Sequence, residues 1–395
     1  MNSTRRNIAL LAACQAMLFT NNSTLIAING LAGLALTPTP SLATLPVTAW
    51  VLGGAIATMP ASLHMKRVGR RRGLMAGTRW GMAGALLCGV AIWLQSFWLL
   101  CFGALVFGAY NAYGQYYRFA AADAASADFR ATAISLVLAG GLVGGVLGPS
   151  SSRLTIDLLG PRFMGAYLAL IGFALITMAL LSFIRIPDPT AAEQAASGRP
   201  LATIVAQPKF IVAVLSGAIG YGVMNFLMTS TPIAMEGHHH AYGDAAFVIS
   251  AHVVGMFAPS FVTGGLIRRF GVLALMLAGA ALNFAAIGIA LSGTAVAQFW
   301  WSLVLLGVGW NFLYIGGTTL LTETYRPEER AKAQGANDQA IFVMMAISSF
   351  TSGMTVTVAG WEKVNLFALP LVALVVLSIM WFVWKKRGRG CENSI

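Results

Sequence analysis

Runs of about 20 apolar residues recur along the chain, separated by short clusters rich in Arg, Gly, Pro and Ser. A run of that length spans the ~30 Å hydrocarbon core of a bilayer when helical. Spans are predicted at 8–35, 43–65, 73–95, 97–121, 131–152, 162–184, 210–235, 245–267, 272–293, 297–321, 336–358 and 364–384. The runs lack the strict apolar/polar alternation of a membrane barrel, and lipid supplies no partners to backbone amides, so helices are expected. The longest polar stretch, 185–209, opens Ile-Pro-Asp-Pro and carries Ser-Gly-Arg-Pro in its middle. The pattern predicts an all-α integral membrane protein of twelve helices. Two six-helix bundles, 1–184 and 210–395, are joined by a cytoplasmic linker at 185–209, and the second ends in a short cytoplasmic tail.

The two halves share a register. Residues 62–71 read Ser-Leu-His-Met-Lys-Arg-Val-Gly-Arg-Arg and residues 264–273 read Gly-Gly-Leu-Ile-Arg-Arg-Phe-Gly-Val-Leu, each after a long apolar run. Tyr110-Asn111 matches Trp310-Asn311, Asp123 matches Glu323, and Arg130 matches Arg330. Such an internal repeat predicts a transporter whose pseudo-symmetric halves rock around a central site.

Composition agrees with the pattern: 57% of residues are hydrophobic and 10% charged, and the mean hydropathy is +0.75. The net charge of +12 changes the picture only through where it lies. With a cytoplasmic N-terminus, Arg5, Arg6, Lys66, Arg67, Arg70 to Arg72, Arg130, Arg185, Arg199, Lys209, Arg268, Arg269, Arg326, Arg330, Lys332 and Lys385 to Arg389 all fall inside, against Arg153, Arg162 and Lys363 outside. This positive-inside bias sets both termini in the cytoplasm. The basic balance therefore orients the chain in the lipid bilayer and implies no nucleic-acid partner. The first run is too long for a signal-peptide core and is kept as a span. Cys14, Cys88, Cys101 and Cys391 make neither a disulfide framework nor a metal-finger spacing. No catalytic cluster, nucleotide loop or sizeable soluble domain stands in the loops, so an enzyme or receptor is disfavoured, no cofactor is expected, and the transporter is expected to act as a monomer.

Polar side chains within spans are costly in lipid and usually face the bundle interior. Asn21 and Asn22 in the first span, Tyr110, Asn111 and Gln115 in the fourth, and Trp310, Asn311 and Tyr314 in the tenth are the candidate solute-binding residues. Aromatic faces and amides suit a planar, hydrogen-bonding organic solute. The competing reading makes the aromatics interfacial belts and the asparagines interhelical glue. Met224-x-x-x-Met228 and His252-x-x-x-Met256 each place two side chains on one helical face, one turn apart. Soft thioethers with imidazole suit Cu(I), so Met224, Met228, His252 and Met256 are the candidate ligands if the solute is copper; gap-filling core is the alternative. His238, His239 and His240, beside Glu236 and Asp244, are a candidate metal-capture loop or a solvated one. Asp123, Glu323 and Asp338 lie toward cytoplasmic helix ends, where pairing with Arg118, Arg130, Arg326 or Arg330 would form a gate. His252 is the one deep titratable group.

Two motifs carry a family resemblance. Ser62, Arg67, Gly69, Arg70 and Arg71 match the Gly-x-x-x-Asp-Arg-x-Gly-Arg-Arg loop of the major facilitator superfamily, with Lys66 where that family has aspartate. The match adds Arg67, Gly69 and Arg70 to the candidate gate. Gly144-x-x-x-Gly148-Pro149 is similar to part of an antiporter motif, with Ser150 to Arg153 replacing its glycines. The Met and His motifs together resemble the CcoA-like branch, which includes bacterial copper importers serving cytochrome oxidase assembly and riboflavin transporters. The resemblance implies the twelve-helix fold, alternating access and import of a small molecule or a metal ion. Copper members are expected to add cysteines near the Met motif, and here Gly220 and Ser216 stand one and two turns before Met224. Both solutes occur in the branch, so the resemblance alone does not choose; the missing cysteines and the lining of the first, fourth and tenth spans favour riboflavin or a related flavin, with Cu(I) or another small solute as alternatives.

Overall fold

The computed structural model describes residues 3–37, 39, 42–187, 190, 196 and 198–392. The middle of the expected linker, including Ser197, lies outside the described residues. Among those described the regular structure is entirely helical. The first helices are α1 (Ser3–Leu36), α2 (Leu45–Val68), α3 (Arg70–Trp93), α4 (Phe97–Gly114), α5 (Tyr117–Ala124), α6 (Arg130–Thr155) and α7 (Met164–Ser182). After the short α8 (Leu201–Val205) come α9 (Pro208–Gly237), α10 (Tyr242–Phe257), α11 (Ser260–Phe270), α12 (Val272–Leu291), α13 (Val296–Leu321) and α14 (Arg330–Glu392).

Ten helices among the described residues are long and apolar enough to cross a membrane, or 11 if α10 and α11 make one bent span. The chain is a multi-pass membrane protein. The expectation of twelve spans is met when α14 counts twice. Its 63 residues are two helices run together across Gly360, which leaves the helical region at φ 83° and ψ 171°. A left-handed backbone angle of that kind is available to glycine without a Cβ penalty.

Two expected spans are not single straight helices. The span expected at 245–267 bends by 42° between α10 and α11. Pro259 sits at the break; it has no N–H to give to the preceding turn and its ring crowds that turn. The span expected at 97–121 divides at Gln115–Tyr116 into α4 and α5.

The internal repeat is also visible in the backbone. Gly69 joins α2 to α3 at φ 88° and ψ 161°, and Gly271 joins α11 to α12 at φ 85° and ψ 155°. Short 3₁₀ turns, Ala127–Phe129 and Pro327–Glu329, precede Arg130 and Arg330.

By compactness the chain divides into two units, 1–196 with 334–339, and 197–333 with 340–395. A short stretch of α14, Gln334–Gln339, therefore belongs with the first unit. Within that unit α6 lies against α1 through Gly140, Gly144 and Gly148, where any Cβ would meet the backbone of residues Ala12, Ala16 and Thr20. The Gly144/Gly148 spacing thus serves close helix packing, the usual function of small residues in membrane interfaces. In the second unit α13 is packed the same way on three sides. Gly317 approaches the Ala213 carbonyl of α9, Gly307 that of His252 on α10, and Gly309 that of Gly279 on α12.

Candidate functional site

In the first unit a line of polar side chains connects α1 to α4. Asn22 Nδ2 donates to Asn111 Oδ1 at 2.9 Å, and Gln115 Nε2 reaches the same oxygen at 3.4 Å. The i, i+4 spacing on α4 puts Gln115 one turn beyond Asn111. Arg118 NH1 then donates to the Gln115 carbonyl at 2.9 Å and to Gln115 Oε1 at 3.1 Å. Asn21 and Tyr110 are fully buried beside this line, and the Tyr110 hydroxyl lies 3.3 Å from Thr177 Oγ1 on α7.

The line ends in charge. Arg118 NH2 pairs with Asp338 Oδ1, and Asn337 Nδ2 donates to the same oxygen at 2.8 Å. Both ionic side chains are 2% exposed. Burying two charges is costly, and stranding one of them by removing its partner costs about 3–5 kcal/mol. Nearby, Arg70 Nε pairs with Asp123 Oδ2 at 3.0 Å, and its NH2 donates to Gln334 Oε1. The guanidinium also stands 5.7 Å over the Tyr116 ring. Of the expected gate residues, Arg70, Arg118, Asp123 and Asp338 therefore form two neighbouring ion pairs, and Gly69 supplies the turn that starts α3. Arg67 is exposed, and Arg130 and Arg330 are half-buried at helix starts. Asp123 takes Arg70 as its ion-pair partner, where Arg118 or Arg130 was among the expected choices. Glu323, its repeat counterpart, pairs with Lys209 at 2.8 Å on an exposed surface. Lys66, at the family's aspartate position, donates to the Ala196 carbonyl at 2.6 Å.

The second unit holds an aromatic cluster. Trp310 and Tyr314, one turn apart on α13, stack with centroids 4.9 Å apart and planes at 15°. Tyr221 of α9 stands edge-on to both, at 5.4 and 5.5 Å, and Phe257 of α10 edge-on to Trp310 at 5.8 Å. Offset stacks and T-shaped contacts are the favoured aromatic geometries. Trp310 Nε1 is buried with no hydrogen-bond partner. A buried donor left unmet costs about 1–3 kcal/mol, so this N–H is a standing demand for an acceptor.

Asn311, offset by 200 residues from Asn111, is used differently. Its Nδ2 donates to the Met256 carbonyl and to Ser260 Oγ, both at 2.6 Å, and its Oδ1 accepts from Thr263 Oγ1 at 2.7 Å. All of these partners lie on either side of the α10–α11 bend. Asn311 thus staples α13 to the broken helix, with both its amide nitrogen and its amide oxygen engaged by protein.

The four candidate copper ligands lie on α9 and α10 and differ in exposure. Met224, His252 and Met256 are buried, whereas Met228 is partly exposed. His252 Nδ1 donates to the Leu303 carbonyl of α13 at 2.7 Å, and its Nε2 is buried without a partner. Among the described residues no three His, Cys, Asp or Glu side chains are grouped to hold a metal ion. His238 and His239 are exposed, while His240 Nε2 donates to the Thr294 carbonyl at 2.6 Å and its ring lies edge-on to Phe299.

Sequence reasoning missed Tyr221, Phe257 and Gln334. The aromatics sit in apolar runs where nothing but three-dimensional proximity to Trp310 marks them. Gln334 is drawn to Arg70 across 264 residues.

Known proteins share this architecture. Solved structures that resemble it include the Escherichia coli fucose:proton symporter FucP, at 17% identity and a TM-score of 0.76 over 96% of this chain and 99% of that one. The human organic anion transporter MFSD10 is also similar, at 12% identity and a TM-score of 0.79 over 96% and 100%. In sequence, the riboflavin transporter RfnT of Brucella anthropi is 42% identical over 394 residues, 98% of each chain. An uncharacterized MFS-type transporter of Bacillus subtilis, YddS, is 30% identical over 87% of this chain and 83% of its own. The family model described as Major Facilitator Superfamily matches residues 11–348 and 213–390. With the helical spans, the doubled glycine turn and these relatives together, the chain belongs to the major facilitator superfamily of membrane transporters.

Proposed function

We propose that the protein imports riboflavin or a related flavin across the bacterial inner membrane by alternating access, as a monomer with both termini in the cytoplasm. The observation that carries this reading is the 42% identity, extending over 98% of both chains, to a protein named as a riboflavin transporter. The chemistry of the two units supports it. An isoalloxazine ring has apolar faces and a hydrogen-bonding edge, so it leaves water only where stacking and polar partners are both offered. Tyr221, Trp310 and Tyr314 offer rings, and Asn22, Asn111 and Gln115 offer amides. The domain plan is two bundles, 1–184 and 210–395, with 185–209 between them. Arg118–Asp338, whose arginine and acid belong to different bundles of this plan, is the gate that parts and re-forms as the bundles rock, with Arg70–Asp123 beside it.

The test is growth. In a riboflavin auxotroph lacking its own uptake system, this chain restores growth on low riboflavin, and Asn111→Ala or Trp310→Ala abolishes the rescue. Met228→Ala with His252→Ala is milder. Failure to rescue, with a rise in cellular copper that the Met/His double variant removes, sinks the flavin reading and makes the solute Cu(I).

A further inference from the structure

The span α3 carries charge where its repeat counterpart carries none. Its exposed stripe runs Arg72, Arg79, Leu86 and Trp93, a seven-residue spacing that returns to the same helical face. Leu86 and Trp93 are 53% and 68% exposed, as side chains set against lipid are. Arg79 stands nine residues beyond Arg70, about 13 Å along the axis of the helix. The matching helix of the second half, α12, has no basic residue between Val272 and Leu291. The fold itself therefore does not call for these arginines.

A guanidinium in a membrane span is costly unless an anion or water meets it, and its long side chain bends toward the nearer membrane surface to find one. At that end of α3 lies a pocket of about 300 Å³ lined by Arg71, Arg72, Met75 and Ile186. Arg79 follows Met75 by one turn on the same face, so bending toward that end carries its guanidinium toward the pocket. The opposite wall is pinned. Asn7 of α1 donates Nδ2 to the Arg185 carbonyl at 2.8 Å and accepts from the Arg185 N–H at 3.1 Å, which fixes the chain just before Ile186. Arg71 and Arg79 are both exposed, and among the described residues no acid pairs with either. Both cations are thus left for an anion from outside the chain.

We infer that this face of α3 binds an anionic phospholipid of the cytoplasmic leaflet, its phosphate held by Arg71 and Arg79 and its acyl chains lying along Leu86 toward Trp93. The choice of leaflet rests on the orientation proposed above. Two features select a lipid over free phosphate. Charge and then apolar surface follow one another along a single helical face, in the order in which a phospholipid presents its phosphate and its chains. Arg79 also lies far enough into the span to be flanked by hydrocarbon, where an anion arrives only when tethered to acyl chains. Basic pockets between helices at the cytoplasmic side suit such headgroups. Arg70, one residue before Arg71, binds Asp123, so the lipid steadies the turn of α3 that supplies this ion pair.

The experiment is native mass spectrometry of the purified full-length protein, titrated in detergent with phosphatidylglycerol, phosphatidylcholine or inorganic phosphate. Wild type is expected to retain phosphatidylglycerol saturably and the other two far less. Arg71→Gln with Arg79→Gln weakens phosphatidylglycerol binding roughly tenfold or more, since each basic residue contributes about 1 kcal/mol toward an anionic lipid surface. Arg268→Gln with Arg269→Gln, at two exposed arginines that end α11, leaves it within about twofold. Arg79→Gln alone, a change at an exposed position, still weakens it about fivefold and keeps the test open if the double variant does not fold. Undiminished binding in a folded Arg71/Arg79 variant, or an equal loss in the Arg268/Arg269 variant, overturns the site. Equal retention of phosphatidylcholine overturns its preference for an anionic headgroup, and displacement of phosphatidylglycerol by inorganic phosphate overturns the lipid as occupant. The flavin reading stands apart from all of these outcomes.

Discussion

Asn22 on α1 gives its amide hydrogen to Asn111 on α4 at 2.9 Å, inside a helical unit where both side chains are buried. Asn111 Oδ1 is thereby shared between Asn22 and Gln115, and through Gln115 the contact continues to Arg118 and Asp338. A solute that competes for the Asn111 amide is thus in hydrogen-bonded communication with the buried ion pair.

Asn111→Ala is expected to strand the Asn22 donor and to lower riboflavin uptake by about tenfold or more, in line with the ~1–3 kcal/mol cost of an unmet buried group. Initial rates of labelled riboflavin uptake check it. Near-wild-type uptake would remove Asn111 from the solute site.

Arg118→Ala and Asp338→Ala should each destabilise by about 3–5 kcal/mol, and the double variant by less than either, because the cost lies in the charge left behind. Thermal unfolding in detergent reads the ordering. A double variant worse than both singles would mean the pair is net stabilising in itself.

Asp123→Asn weakens the Arg70 contact at the end of the first unit's line. Transport should slow while flavin affinity stays within a few-fold, as expected of a gate and not of a binding group. An equal loss of affinity would place Asp123 in the solute site.

Asn311→Ala deletes three hydrogen bonds at the α10–α11 bend, at about 1 kcal/mol for each. A lowered melting temperature with riboflavin affinity retained is the expected result. Lost affinity in a protein of unchanged stability would return Asn311 to the solute site.

Topology is checked by cysteine labelling from outside intact cells, in a background lacking Cys391. A membrane-impermeant maleimide should reach His239→Cys and should reach Ala202→Cys only after the membrane is opened. The reverse pattern would invert the orientation.

The hydrophobic periods made the spans legible, because a bilayer imposes one length on every helix that crosses it. The repeat was legible for a related reason: Gly69 and Gly271 are both held at backbone angles that few other residues adopt. Partner choice was not legible. Asp338 lies 220 residues from Arg118, and no local spacing distinguishes it from Asp123 as that arginine's counter-ion. The Asn111/Asn311 offset suggested one shared role, yet the break at Pro259 gave Asn311 a bend to staple, and α2, which packs on α4 as α10–α11 packs on α13, has no such break in that role. Tyr221 stayed hidden because an aromatic residue in an apolar run carries no signal until its neighbours are known.

The matched angles at Gly69 and Gly271 give the two halves one turn shape with different chemistry around it. Arg70 follows the first glycine and binds Asp123, while Val272 follows the second and can bind no acid. The glycine therefore serves the geometry of both turns, while the cation directly after it serves one turn alone. Exchanging the two turns between the halves would keep a glycine at both helix junctions and leave Asp123 without the arginine it now binds.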